Sequence, residues 1–344
     1  KKAKIAAEAE RPRVDLDVSA AAATVPHSEK TKEGLRAVMQ REWGYGGEDA
    51  YFFKKRTGSP REEVEQQRRR RGRQNGDGNN GAGKGAGKEE THLAFGVADG
   101  VYLWRWEGID AGLYSRRLMG LASAAFSENF ETEGTLEDTS MCGAADAEGA
   151  ETERPEHLLA VAFEGVSAEK IKGSTTACIA TIDAAYGLLR GANVGDSGFM
   201  LIRGDPGHRE VCHRSPHQEH EFGRPFQLGH HDNSDSPSDA MLTTFPLEPG
   251  DFIVMGSDGL WDNLSEKEIL ELIEDVFKGG GGSAAAGTAQ SQSLMNKASR
   301  EIVSAAYHAS MDKRRTTPYS LAATEFFDMV YSGGKKDDIT AVIV

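Results

Sequence analysis

Acidic residues recur in this sequence where short apolar runs give way to turns, and no other feature restricts the fold so closely. AFGVADG ends on Asp99 and Gly100, Glu48 and Asp49 stand before AYFF, and Asp196 follows GANV in GANVGDSG. Asp258 and Asp262 lie in VMGSDGLWDNL, while Asp337 and Asp338 precede ITAVIV. One Asp-Gly pair is an ordinary turn. Five separated junctions are another matter, because converging carboxylates repel one another unless a proton or a cation holds them. With neither His nor Cys adjacent, the donors are oxygens alone, which suits Mg²⁺ or Mn²⁺ and is wrong for structural zinc. Two such ions polarise a phosphoryl oxygen and turn a shared water into hydroxide, the chemistry of phosphoester hydrolysis without a covalent intermediate.

The apolar runs read as strands over 50–53, 92–98, 175–183, 188–194, 199–203 and 252–255, each β-branched or aromatic and bounded by Gly, Asp or Asn. Helical spacing covers 111–126, 156–163 continuing toward Lys170, 265–277 and 294–308, with Ser265 as an N-cap and Glu268 three residues on. Strands in sequential groups with helices paired between them favour an α+β arrangement of antiparallel sheets over a parallel βαβ fold.

Three stretches interrupt this pattern at about 56–90, 128–156 and 278–293: the first Arg-rich then Gly-rich, the second acidic, the third Gly, Ala, Ser and Gln. All are too poor in apolar residues to order themselves by burial, so they read as surface insertions in one domain, 41–344. Residues 1–40 read as an N-terminal extension, partly helical or disordered.

The 344 residues carry 54 acids against 40 Lys and Arg, a net charge of -14 that repels nucleic acid and anionic membrane. No apolar stretch approaches the roughly 20 residues that span a bilayer. Cys142, Cys178 and Cys212 form neither a disulfide framework nor a CxxC pair, which points to a reducing, intracellular setting. The start, KKAKIAAEAERPR, has no initiator Met and no apolar signal core, and leaves cytoplasm, mitochondrion and plastid open.

Taken in order, GGEDAYFF, FGVADG, KGSTTACIATID, LLRGANVGDSGFMLIR, GDFIVMGSDGLWDNLSEKEI and GGKKDDITAVIV resemble the motifs of the metal-dependent (PPM, type 2C) protein serine/threonine phosphatases, over about 46–344. GIDAGLYSRRLM, RSPHQEHEFGRPFQL and TPYSLAATE are similar to the branch with members in plants and animal mitochondria. The resemblance implies a four-layer α/β/β/α sandwich with two central antiparallel sheets, and a monomer acting on phosphorylated proteins with two Mn²⁺ or Mg²⁺ ions. In that scheme Asp99 bridges the two ions, the Gly100 carbonyl joins the second, and Asp258 and Asp337 complete the first. Glu48 and Asp49 hold metal-bound waters, and Asp196 and Asp262 form a weaker third site. A bridging water attacks phosphoserine or phosphothreonine in line with the leaving oxygen.

This sequence departs from the family pattern in three places. Val101 stands where many members have a His after the Asp-Gly, and Gly44 stands where an Arg holds phosphate, with Arg41 out of register. Val101, Tyr102, Leu103 and Trp104 replace a Gly-Gly-Trp run, and these bulky residues either line a substrate groove or pack beneath a neighbouring loop. Two rivals stay open: a pseudophosphatase that binds phosphoproteins without hydrolysing them, and a phosphatase of small phosphoesters. His213, His217, His220, His230 and His231 fit no metal-binding spacing and read as solvated. Ser174 and Ser197 lack the GxSxG context and partner His of a nucleophile.

Overall fold

Residues 13–26, 47–57, 91–127, 153–279 and 287–344 are described by the computed structural model. Most of the three insertions lies outside the described residues, as do Arg41, Gly44 and Cys142.

Ten strands form the centre of the molecule: β1 (Ala21–Val25), β2 (Asp49–Thr57), β3 (Thr91–Asp99), β4 (Ala177–Asp183), β5 (Leu188–Val194), β6 (Gly198–Arg203), β7 (Glu210–Arg214), β8 (Met241–Pro246), β9 (Phe252–Gly256) and β10 (Ile339–Ile343). Among the described residues six α-helices accompany them: α1 (Ala111–Ser127), α2 (Pro155–Ala168), α3 (Asp258–Trp261), α4 (Glu266–Gly279), α5 (Ala289–Met311) and α6 (Pro318–Phe327). The strands pair into two five-stranded sheets, in the orders β1-β10-β9-β6-β7 and β8-β5-β4-β3-β2. Every pairing within them is antiparallel.

β3 shows why these strands read as unbroken apolar runs. Side chains alternate between the two faces of a strand, and here both faces are covered. Phe95 and Val97 join Leu189, Phe199, Leu201 and Ile253 in the core between the sheets. Ala94 and Ala98 turn to the other side, into a core shared with Leu118 and Met119 of α1 and Leu158 of α2. Gly96 stands on that second face, and a Cβ there would come within 3.1 Å of the Met119 sulfur, so small residues let α1 sit close. The outer face of the other sheet is covered by α4 and α5 through Ile269, Ile273, Ile302 and Val303. The result is the α/β/β/α sandwich that the resemblance implied.

The structure corrects several element assignments. Part of the segment read as an N-terminal extension is β1, an edge strand registered from Ala21 opposite Ile343 to Val25 opposite Ile339. AAATV has no alternation to announce it, and its partner lies at the other end of the chain. β2 runs on through Lys54, Lys55 and Arg56 to Thr57, because it is an edge strand on which Lys54 and Lys55 remain in water and discourage further pairing, while Arg56 pairs with Glu153. α5 starts inside the third insertion, at Ala289, where the Thr288 side chain accepts from the Ser291 N–H at 3.1 Å. β7, β8 and α6 have no counterpart in the sequence reading.

Candidate active site

The acids gather at the ends of strands from both sheets. Asp49 opens β2 directly opposite Asp99, the last residue of β3, so the two share the face turned toward the other sheet. There Ser257, just after β9, donates its hydroxyl to Asp49 Oδ2 at 2.7 Å. The Asp99 backbone is pinned: its N–H donates to Thr176 Oγ1 at 3.1 Å, and its carbonyl accepts from the Thr176 N–H and the Thr175 hydroxyl. Asp196 occupies the turn from β5 to β6, after Gly195 at φ 102°. Asp258 begins α3 and Asp262 follows its last residue, one helical turn on.

A cleft of about 350 Å³ is lined by Asp99, Gly100, Asp196, Asp258, Asp262 and Asp337, so six of the eight expected residues meet there. Glu48 and Asp49 are not among its lining residues and lie almost wholly buried behind it. The two aspartates before β10 separate in role. Asp337 lines the cleft, whereas Asp338 is buried and accepts from the Glu48 N–H at 2.6 Å, tying the start of β2 to the start of β10.

Gly47 makes that tie possible: it has φ +72°, and a Cβ would lie 2.0 Å from Asp338 Oδ2. Gly47→Ala is expected to destabilise the protein by about 2 kcal/mol, read as a lower urea midpoint. An unchanged midpoint would show that the tie carries no load.

Charge balance in the cleft depends on a residue that the sequence reading passed over. Lys335 Nζ contacts Asp258, stands 2.7 Å from Asp262 Oδ2 and is 3.5 Å from Asp337 Oδ2. Asn263 clamps the Lys335 backbone, accepting from its N–H at 3.0 Å and donating to its carbonyl at 2.8 Å. Burial alone would push the ammonium down, yet Asp258, Asp262, Asp337 and Asp196 hold it well above its ordinary pKa, a fixed positive charge. Burial, then Asp258, raises Asp196 well above the usual carboxylate range. Burial likewise pushes Asp262 up to about 6, against the pull of Lys335. Asp49 is raised by burial and by Asp338. Behind the cleft, Arg105 ion-pairs with Glu48 and lies 5.1 Å from the centre of the Tyr102 ring.

The donor set fits a hard divalent cation in kind: carboxylates, a backbone carbonyl at Gly100, and the buried Asp49 Oδ1, which has no hydrogen-bond partner. Among the described residues, no group of three or more His, Cys, Asp and Glu closes into a metal cage. Between Asp258, Asp262 and Asp337 the space is taken by the Lys335 ammonium. Its signal in the sequence was the lysine pair of KKDD, two residues before Asp337.

The bulky Val101 to Trp104 run satisfies both of its alternatives. Tyr102 and Leu103 open a 3-10 helix, Tyr102–Glu107, and line the cleft. Trp104 packs against His230 and His231, with its indole N–H on Ser174 Oγ at 2.5 Å. Of the five histidines, four are exposed as expected, and His213 is half-buried beside Phe199 and Phe245. His217 was missed as a cleft residue. Arg214 donates to its Nε2 at 3.0 Å, so that nitrogen is the unprotonated one and holds no proton for a leaving group. Ser174 and Ser197 are occupied in hydrogen bonds to Gln227 and Thr176.

Comparison with known proteins agrees with this geometry. The family described as Stage II sporulation protein E (SpoIIE) matches residues 91–312. The protein phosphatase PTC7 homolog fig of Drosophila ananassae is 32% identical over 257 residues, 72% of this chain and 68% of its own length. The chain belongs to the PP2C-type (PPM) protein phosphatase family. Another member, the probable protein phosphatase 2C 55 of Arabidopsis thaliana, is 35% identical over 263 residues, and there the match spans about half of the relative, 48% of its length. A solved structure of the photosystem II phosphatase PBCP superposes with a TM-score of 0.61 at 25% identity, covering 94% of this chain and 97% of that one. Dependence on a divalent metal is general to the PPM family.

Proposed function

We propose that the cleft hydrolyses phosphoserine and phosphothreonine in proteins with the help of Mn²⁺ or Mg²⁺. One observation carries the reading: Asp99, Asp196, Asp258, Asp262 and Asp337, from four separate strand ends, line a single cleft. Asp99, Asp258, Asp337 and the Gly100 carbonyl would hold two ions, Asp196 and Asp262 a weaker third, and Glu48 and Asp49 the waters of the shell. Bound there, the ions supply Lewis acidity toward the phosphoryl oxygens and a water acidic enough to serve as nucleophile.

The chain's own residues do the rest. The threonines at 175 and 176 fix the Asp99 backbone, and the Ser257 hydroxyl orients Asp49. Lys335 neutralises Asp258, Asp262 and Asp337 without an ion, and would give way to one bound between them. One copy of the chain supplies every acid, so a monomer suffices. Free Cys178 and Cys212 accord with an intracellular compartment, cytoplasmic or organellar. No helix among the described residues is long and apolar enough to cross a membrane.

The test is turnover of p-nitrophenyl phosphate and of a phosphothreonine peptide, with Mn²⁺ and with EDTA. Hydrolysis of both that EDTA abolishes is the expected result. No turnover of either in Mn²⁺ would overturn the reading in favour of a binding-only protein, and turnover of small esters alone would overturn the assignment to protein substrates.

A further inference from the structure

Two exposed apolar stretches border the acidic cleft. We infer that they form a docking surface for a phosphoprotein whose phosphorylated residue is flanked by large apolar side chains; this rests on the phosphatase reading above. The first stretch is the 3-10 helix after Gly100. Tyr102 and Leu103 line the cleft while 46% and 69% exposed, and Trp106, on the same helix, is 80% exposed. The second begins with the half-buried Phe222 and Tyr319, also in the cleft lining, and continues with exposed Phe326, Phe327, Met329 and Val330, the last 94% exposed.

The second stretch is built by aromatic contact. Phe222 comes from the short hairpin of Glu219–Glu221 and Arg224–Pro225, and its ring stacks on Phe326 of α6 with centroids 5.0 Å apart. Phe327 meets the same ring edge-on at 5.6 Å. The hairpin thus leans on the helix, and both leave apolar surface in water beside the cleft. Contiguous exposed apolar surface of this kind marks contact with a partner.

Charge does not choose the partner. The chain carries -14, but the ions of the phosphatase reading attract every phosphate group alike, so the phosphate does not tell one phosphoprotein from another. Discrimination has to come from parts of the substrate remote from the reacting phosphorus. An extended peptide advances about 3.5 Å per residue, so the neighbours of a phosphoresidue seated over the acids fall against Tyr102 and Leu103 or against Phe222 and Tyr319. Apolar neighbours would bury there what is now exposed. The same charge opposes an anionic membrane as the occupant.

The test uses the full chain in Mn²⁺ with phosphothreonine peptides of equal length, flanked by Leu and Phe or by Gly and Ser. The apolar-flanked peptide is expected to have a kcat/KM about tenfold higher, mostly through KM. In the double variant Leu103→Ser/Val330→Ser the ratio between the two peptides falls toward one. A ratio of one in the wild type, or a ratio that the double variant leaves unchanged, overturns the proposal. p-Nitrophenyl phosphate has no flanks, so its hydrolysis by the wild type reports on the phosphatase reading separately from the docking surface. Sedimentation with phosphatidylcholine vesicles that the double variant abolishes would reassign the surface to lipid and overturn the proposal as well.

Discussion

Asp99→Asn is expected to lower Mn²⁺-dependent hydrolysis of p-nitrophenyl phosphate by about a thousandfold while the thermal midpoint stays level or rises. Asparagine matches aspartate in size, and the three hydrogen bonds that fix residue 99 are made by its backbone, so the loop is retained. What is lost is a charged oxygen donor facing the cleft. A bound cation contributes several kcal/mol to transition-state charge stabilisation, and each 1.36 kcal/mol is tenfold in rate, which gives the figure of about a thousand. The midpoint does not fall because Asp49 stands directly opposite, and removing one of two facing like charges relieves repulsion. Steady-state kinetics and calorimetry check the two halves. A loss below tenfold would show that Asp99 holds no metal essential to turnover.

Lys335→Met is expected to destabilise the metal-free protein by about 3 kcal/mol, because it strands the carboxylates of Asp258, Asp262 and Asp337 without their shared cation. The same variant should gain more from added Mn²⁺ than the wild type does, since a divalent ion takes over the neutralisation that the ammonium supplied. Thermal melts in EDTA and in Mn²⁺ read both effects. Equal midpoints for variant and wild type in EDTA would mean that the lysine contributes nothing to holding the acids together.

The layers of the fold were legible because sandwiching leaves a plain trace. β3 to β6 and β9 are covered on both sides, so their sequences are mostly apolar and end abruptly at polar turns. β1 and β2 are edge strands, half-exposed or charged, and their extent is decided by partners far along the chain. α6 escaped because its capping box pairs Thr317 with Ser320 instead of a Glu or Gln, and its aromatic end faces solvent where a core-facing stripe was sought.

The candidate site divides in the same way. Acids at turns after apolar runs are conspicuous, and five of the seven chosen from sequence line one cleft, with Gly100 beside them. Which residues neutralise them is a matter of tertiary geometry. Lys335 is two residues from Asp337, yet its ammonium reaches across to Asp258 and Asp262 because Asn263 holds its backbone there. Arg105 reaches Glu48 only because the chain after Gly100 coils into a 3-10 helix. Neither partnership follows from any spacing.

The pairing of β1 with β10 also bears on how the protein is made. β10 lies between β1 and β9, and so joins residues 21–25 to residues 252–256 through 339–343. On a ribosome, β9 emerges long before β10 and must wait with an open edge, while β1, made earliest, waits longest for its neighbour. Contacts so distant along the chain close slowly. Asp337 travels with β10, so the cleft gains its last acid only when that strand is threaded between the other two. A nascent chain therefore has an incomplete cleft until residues 337–343 have been translated.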